Sequence, residues 1–113
     1  MTIQLIGTKK SKETHKALRY FKERGVAFQF VDLRERSLSP GELDRIAAAA
    51  GGYQKLIDTE SKAYAQRGMQ YMEFDAREEL REDQGLLRIP IVRGDGGIAV
   101  QPDREELKRV VGK

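Results

Sequence analysis

The first 31 residues hold two short apolar runs separated by one amphipathic segment, and this order constrains the fold more than any other feature. The runs over 3–6 and 26–31 predict buried strands. Between them, Ser11 begins a helix as its N-cap and Gly25 ends it. A strand, a helix and a second strand in this order form a right-handed crossover between parallel strands. The sequence therefore predicts a sheet that contains a parallel pair.

The core-facing residues of these first elements follow from the helical period of 3.6 residues and the strand period of two residues. Along the helix, a stripe at helical spacing ends at Phe21, and in the second strand Phe28 and Phe30 share one face with Val26. The helical stripe comprises Thr14, Ala17, Leu18 and Phe21.

The carboxy-terminal third predicts the rest of the sheet. Residues 86–92 form another apolar run, and Asp95-Gly96 is a strong hairpin signal before the run over 98–100. Asp103, with a glutamate three residues later, then begins a terminal helix. The element order of this part is strand, strand, helix.

Only helices are predicted between these two parts. Ser39 and Glu42 form a capping box around a first-turn proline, and this helix ends at the glycine pair that starts with Gly51. A second capping signature at Asp75 begins another helix, which Gly85 is expected to end.

Pro90 interrupts the apolar run over 86–92, where it removes a ladder donor. Proline is found in such a place at a sheet edge, at a bulge, or after a cis peptide bond that makes a turn. Local sequence leaves these alternatives open, and the overall element order favours the cis form.

Composition excludes several classes of site. The 113 residues are 39% hydrophobic and 35% charged, which predicts one globular domain over 1–113 with a helical insert at about 38–86. The sequence has no cysteine and one histidine, so disulfides, thiolate nucleophiles and cysteine-ligated metals are excluded, and we expect no metal site or cofactor. No apolar run approaches the roughly 20 residues that cross a bilayer, and the five-residue amino-terminal run is too short for a signal peptide, so we expect a cytoplasmic protein without membrane contact.

The net charge of +3 is modest, and most basic residues alternate with acidic ones along the predicted helices. Nucleic-acid binding needs clustered positive charge, and a single cluster, over 9–16, stands out. We therefore expect a mixed-charge solvated surface and no direct contact with nucleic acid.

The element order, with a proline ahead of the hairpin, is typical of the thioredoxin-like plan, and the chain resembles the family of glutaredoxin-coupled arsenate reductases and Spx-type transcription regulators. The resemblance covers nearly the whole length and implies an α/β, glutaredoxin-like fold with a four-stranded mixed sheet: β-α-β, helical insert, β-β-α. It is carried by the segments 15–18 with Phe21 and Gly25, 30–32, 56–59 followed by 61–62, and 85–92.

The chain departs from this family where the family does its chemistry. Ser11 and Thr14 stand where relatives carry sulfur, and a serine hydroxyl needs a positioned base that a thiolate does not. Glu60 and Ile89 stand where the reductases have substrate-binding arginines, with the neighbouring Arg88 kept and no counterpart of the third arginine. A carboxylate at position 60 repels an oxyanion. We therefore expect a catalytically degenerate protein.

The resemblance then implies a non-enzymatic interaction or regulatory module with a protein partner. Spx-type relatives bind the RNA polymerase α subunit through the insert, and Gly51 and Gly52 lie near the position of an important glycine in that contact. The RNA polymerase α subunit is thus the narrower hypothesis, while a helix cap explains the same glycines. Tyr53, Tyr64, Met69 and Tyr71 form either an aromatic surface patch for a partner or part of the core.

Two alternatives stay open from the residues alone. The first is a small-anion site at the start of the first helix, where free backbone N–H groups and flanking cations attract anions. Its candidate residues are Lys10, Ser11, Lys12, Thr14 and His15. The second is residual enzyme activity of the reductase type or through a Ser11–His15 pair one helical turn apart, for which no third orienting group is indicated.

Overall fold

The computed structural model describes residues 2–112, whose backbone contacts form two units. Unit 1 combines the described residues up to Ser37 with those from Ile89 onward, and unit 2 spans Leu38–Arg88. The single domain expected over 1–113 stays a prediction. The helices are α1 (Lys12–Glu23), α2 (Pro40–Ala50), α3 (Lys62–Gln66), α4 (Ala76–Glu82) and α5 (Arg104–Val111).

Unit 1 contains a four-stranded sheet formed by β1 (Ile3–Gly7), β2 (Phe28–Asp32), β3 (Ile91–Gly94) and β4 (Gly97–Val100). The strand order is β2-β1-β3-β4, so β2 and β4 are the two edges. The β1–β2 pair is parallel, and the other two pairs are antiparallel. The predicted mixed sheet with a parallel pair is confirmed.

Helices α1 and α5 pack against this sheet and enclose the core of unit 1. Phe21 is fully buried, and its ring centroid lies 5.0 Å from that of Phe28. Among residues 2–112, none of the helices combines the length and the apolar character that a bilayer crossing needs. The buried members of the core are Leu5, Ala17, Tyr20, Phe21, Val26, Val92, Ala99, Leu107 and Val110.

Three details of unit 1 differ from the prediction. The second strand begins at Phe28 and not at residue 26, and the Val26 N–H donates to the Phe21 carbonyl at 3.0 Å in the turn that follows α1. Tyr20, which was not part of the predicted stripe, is buried beside Phe21. Leu18 is only half-buried and packs at the margin of the core.

Unit 2 is built from helices and short 3-10 turns, as the sequence predicts. The Ser39 hydroxyl accepts from the Glu42 N–H, and the Glu42 carboxylate accepts from the Ser39 N–H, so the capping box that begins α2 is confirmed. Gly51 ends α2 with φ of 94°, a left-handed conformation that favours glycine. The 3-10 turns are Tyr53–Leu56, Met69–Tyr71 and Gln84–Leu86.

The end of α4 differs from its prediction. The helix ends at Glu82, and Gly85 lies in the following 3-10 turn instead of ending α4. The cause is local, since the Asp83 side chain accepts from the Gly85 N–H at 2.9 Å and starts that turn. Asp75 caps α4, but its carboxylate accepts from the Arg77 N–H, so no capping box forms here.

The predicted strand over 86–92 is also shorter in the structure. Leu87 makes only an isolated antiparallel bridge to Ile57, and β3 begins at Ile91. Pro90 has no N–H to donate, so a continuous ladder cannot pass through it. The Ile89–Pro90 peptide bond is cis, as the element order favoured.

Candidate functional site

The start of α1 carries Ser11 and Thr14, the two hydroxyl side chains that the resemblance places at the family's sulfur positions. Ser11 has an extended backbone, and its Oγ accepts from the Thr14 N–H at 3.1 Å. Its own N–H donates to the Thr8 carbonyl at 3.2 Å. Ser11 therefore satisfies one of the free N–H groups at the helix start, which is a structural task.

We expect Ser11→Ala to lower the free energy of unfolding by about 1 kcal/mol, because it leaves the Thr14 N–H without its acceptor. Chemical denaturation measures this loss. Ser11→Asn keeps an acceptor at the cap and serves as the matched control. Equal stability of Ser11→Ala and the natural protein would mean that the hydroxyl is not a cap.

Thr14 has 0% exposure. Its Oγ1 has no hydrogen-bond partner within residues 2–112. Its side chain packs on Gly7 at the end of β1, where an added Cβ would lie only 2.9 Å from the Thr14 Cγ2. A side chain enclosed in this way fills space between α1 and β1 and does not present a reactive group to solvent.

Thr14→Val is expected to raise the free energy of unfolding by about 1 kcal/mol, because it replaces a buried hydroxyl that has no partner by a methyl group of similar size. Thermal and chemical denaturation both report the change. The opposite result, a clear loss of stability, would show that the hydroxyl is hydrogen-bonded in solution.

His15 is exposed and turned towards the loop that precedes α1. Its Nε2 donates to the Lys9 carbonyl, while the Ser11 hydroxyl accepts from the helix backbone. The structure therefore gives both members of the hypothetical Ser11–His15 pair other partners. Neither arrangement activates a hydroxyl for attack.

The candidate anion-binding lysines lie on the surface around this helix start. Lys10 and Lys12 are exposed, and the Lys16 ammonium lies 3.2 Å from the Glu13 carboxylate. The acidic Glu13 in the first turn lowers the positive potential that an anion would meet. Anion binding at this helix start stays a prediction.

The remaining family-equivalent positions are divided between the two units. In unit 1, Ile89 is half-buried, and the carbonyl of buried Pro90 accepts from the Gln101 N–H at 2.8 Å. In unit 2, Glu60 is exposed in the turn before α3, with its N–H bonded to the Asp58 carboxylate at 2.9 Å.

Arg88 is the last residue of unit 2. Its backbone N–H donates to the Leu56 carbonyl at 2.7 Å, and its guanidinium donates to the Lys55 carbonyl at 3.5 Å. The side chain thus holds a neighbouring backbone segment of its own unit. A guanidinium used in this way is less available to clamp an oxyanion.

The aromatic residues of unit 2 do not form the surface patch that was considered. Met69 is buried, and Tyr64 packs edge-on against Phe74 with ring centroids 6.2 Å apart. Tyr71 is 87% exposed, and Met72, which sequence reasoning missed, is 49% exposed. Together Tyr71 and Met72 form a small exposed apolar pair.

The two glycines considered for a partner contact have structural explanations of different kinds. Gly51 is the left-handed cap of α2, and Gly52 has φ of 132°, which also favours glycine. Gly52 lines a shallow cavity of about 340 Å³ with Tyr53, Asp44 and Arg77. A role of these glycines in binding stays a prediction.

A second surface feature, on unit 1, was not found from the sequence. A groove of about 520 Å³ runs along α1 beside β2, and we call it the α1–β2 groove. Its floor is Leu18 and Phe30, and its rim consists of Lys9, His15, Arg19, Lys22 and the single carboxylate of Glu23. The sequence signal that could have indicated a charged helix face here is the recurrence of His15, Arg19 and Lys22 at helical spacing.

Comparisons with known proteins agree with this architecture. No protein-family model and no curated protein matches the sequence. Among solved structures, the chain is similar to a protein named YffB, with 20% identity, a TM-score of 0.85 and coverage of 97% of this chain and 99% of that one. An arsenate reductase from Vibrio cholerae has 18% identity, a TM-score of 0.78 and coverage of 99% and 97%.

An arsenate reductase (ArsC) related protein from Brucella melitensis has 18% identity, a TM-score of 0.71 and coverage of 96% of this chain and 92% of that one. These identities are low, and the agreement in backbone is close over nearly the full length of each chain. The protein therefore has the fold of arsenate-reductase-related proteins, in a chain without cysteine.

Proposed function

We propose that this protein is a cytoplasmic, catalytically degenerate relative of the arsenate reductases that acts by binding another protein. The observation that carries the proposal is the structural use of both hydroxyls at the former sulfur positions. Ser11 caps α1, and Thr14 is fully buried against Gly7. A site whose two central side chains hold the helix in place has no nucleophile to offer.

The anion-holding side of the chemistry supports the same proposal. Glu60 places a carboxylate where the reductases carry an arginine, and the Arg88 guanidinium donates to a backbone carbonyl within its own unit. An oxyanion such as arsenate gains little from these groups. Loss of the nucleophile and loss of the anion clamp are independent changes, and each removes a part of the reductase chemistry.

Capture of partners in cells tests the interaction role. The protein carries a photo-crosslinking group, and the captured proteins are compared between the natural chain and surface variants of equal melting temperature. Tyr71→Ala with Met72→Ala probes the exposed pair of unit 2, and Lys22→Glu probes unit 1. We expect a defined partner that one of these variants loses.

Lys108→Glu is the matched control, because Lys108, like Lys22, is an exposed lysine in the last turn of a helix of unit 1. A capture pattern that no surface variant changes would contradict the proposal. Turnover of arsenate that depends on Ser11 would contradict it as well.

A further inference from the structure

The α1–β2 groove has a strong charge asymmetry on its rim. Lys9, Arg19 and Lys22 are exposed, and within residues 2–112 none of the three forms an ion pair. Glu23 is the one carboxylate of the lining. The rim therefore presents at least two uncompensated positive charges to whatever enters the groove.

The floor of the same groove is apolar. Leu18 and Phe30 are half-buried, and both pack at the margin of the unit 1 core, so each keeps part of its apolar surface open. Cationic rims around a small apolar floor suit a ligand that has negative charges on either side of an apolar group. A bare inorganic anion would leave the floor unused.

The backbone beside the floor offers hydrogen bonds. The Leu33 N–H donates to the Gly7 carbonyl at 2.9 Å, so odd-numbered residues of β2 turn their backbone groups towards β1. By the two-residue period, the N–H and C=O groups of Phe28 and Phe30 point to the outer edge of β2. Since β2 is an edge strand of the unit 1 sheet, a further strand can pair there.

We propose that the α1–β2 groove binds an extended acidic peptide segment, which pairs with the outer edge of β2. This inference rests on the proposed function and names the chemistry of the partner. Peptide residues i, i+2 and i+4 face α1, with an apolar side chain at the centre on Leu18 and Phe30. The acidic residues at either side then lie along the cationic rim.

The spacings are compatible with this arrangement. Lys22 supplies the cation at one end of the rim, and Lys9, whose carbonyl is bonded to His15, supplies the cation at the other. His15 and Lys22 are seven residues apart on α1, which is about 10 Å along the helix axis. Alternate residues of a strand are about 7 Å apart, so two acidic residues flanking an apolar one span about 13 Å. Long lysine and arginine side chains can span the difference of about 3 Å between these two lengths.

The charges favour this occupant over a second copy of the chain. If two copies joined through this same groove, each cationic rim would face the other, and like charges would repel. A nucleic acid satisfies the cations but makes no use of the free strand edge. Competition by a nucleic acid is therefore one outcome of the test.

The probe is the peptide Glu-Thr-Leu-Thr-Glu with fluorescein on its amino terminus and an amidated carboxy terminus, and its affinity is measured by fluorescence anisotropy. We expect the binding to weaken at least about tenfold in Lys22→Glu and to change less than about twofold in Lys108→Glu, since both changes alter the total charge equally. We also expect weaker binding when the salt concentration rises. A peptide with lysine in place of glutamate is expected not to bind.

Amide hydrogen exchange then locates the peptide. We expect the N–H groups of Phe28 and Phe30 to exchange more slowly in the complex, while those of Gln29 and Val31, which face β1, do not change. This pattern distinguishes strand pairing from charge attraction alone.

Three outcomes would overturn the inference. They are failure of the acidic peptide to bind, binding that leaves Phe28 and Phe30 exchange unchanged, and displacement of the peptide by a single-stranded oligothymidylate that binds more tightly. Partner capture that is lost in the Tyr71→Ala and Met72→Ala variant, but kept in Lys22→Glu, would also refute this groove while leaving the proposed function intact.

Discussion

Phe21→Ala is expected to lower the free energy of unfolding by about 3–5 kcal/mol, the range for removing a buried phenylalanine ring. Phe21 has 0% exposure and lies at the centre of the unit 1 core. Its ring contacts those of Tyr20 and Phe28, with centroids 6.0 Å and 5.0 Å away. The substitution therefore removes aromatic contacts and leaves a cavity between α1 and the sheet.

Urea denaturation measures this effect. Tyr71→Ala is the matched control, because Tyr71 is an aromatic residue that is 87% exposed, and we expect its substitution to change stability by less than about 0.5 kcal/mol. Because domains are stable by only about 5–15 kcal/mol, Phe21→Ala takes a large part of the total. A loss below that of a surface substitution would contradict the described core.

Gly7→Ala is expected to cost about 1–3 kcal/mol, as overpacking of a dense interior usually does. An added Cβ at Gly7 would lie 2.9 Å from the Thr14 Cγ2 and 3.2 Å from its Cβ, and it would also collide with Oγ1. Thr14 is fully buried between α1 and β1, so it has little room to move.

The double variant with Thr14→Ala tests the cause of this loss. Removing Oγ1 and Cγ2 of Thr14 makes space for the Gly7→Ala methyl group, so the two changes together are expected to cost less than the sum of their separate effects. Denaturation of all four chains gives the coupling free energy. Strict additivity would mean that Gly7 and Thr14 do not touch.

Elements with strong local signals were predicted well from the sequence. The capping boxes at Ser39 and Asp103 are both present. The Asp95-Gly96 pair forms the two-residue turn between β3 and β4. Side chains that bond to backbone groups three residues away, or a glycine in a tight turn, fix the local backbone almost independently of the rest of the chain.

Features that depend on contacts far along the chain were predicted less well. The Leu38 N–H and carbonyl both bond to the Gln84 side chain, at 2.7 Å and 2.8 Å. No local sequence pattern predicts a contact between residues that are 46 positions apart. The predicted strand over 86–92 began too early, because an apolar run does not show where the partner strand of the ladder begins and ends.

The candidate site likewise has one feature that a local signal predicts and others that depend on long-range contacts. The Ser11 cap follows from residue type and position, and the structure confirms it. The burial of Thr14 against Gly7 and the meeting of α1 with Phe30 need the packed arrangement of strands and helix. The α1–β2 groove could not be predicted from the sequence because it forms only where Phe30 of β2 meets Leu18 and the charged residues of α1.

The central proposal is that this chain is catalytically degenerate and does not reduce arsenate. An arsenate reduction assay with glutathione and glutaredoxin, run on the natural protein beside Ser11→Ala, tests it most directly. We expect arsenite formation at the level of the reaction without the protein, for both chains. Arsenite formation above that level by the natural protein, lost in Ser11→Ala, would contradict the claim and show that the Ser11 hydroxyl takes part in catalysis.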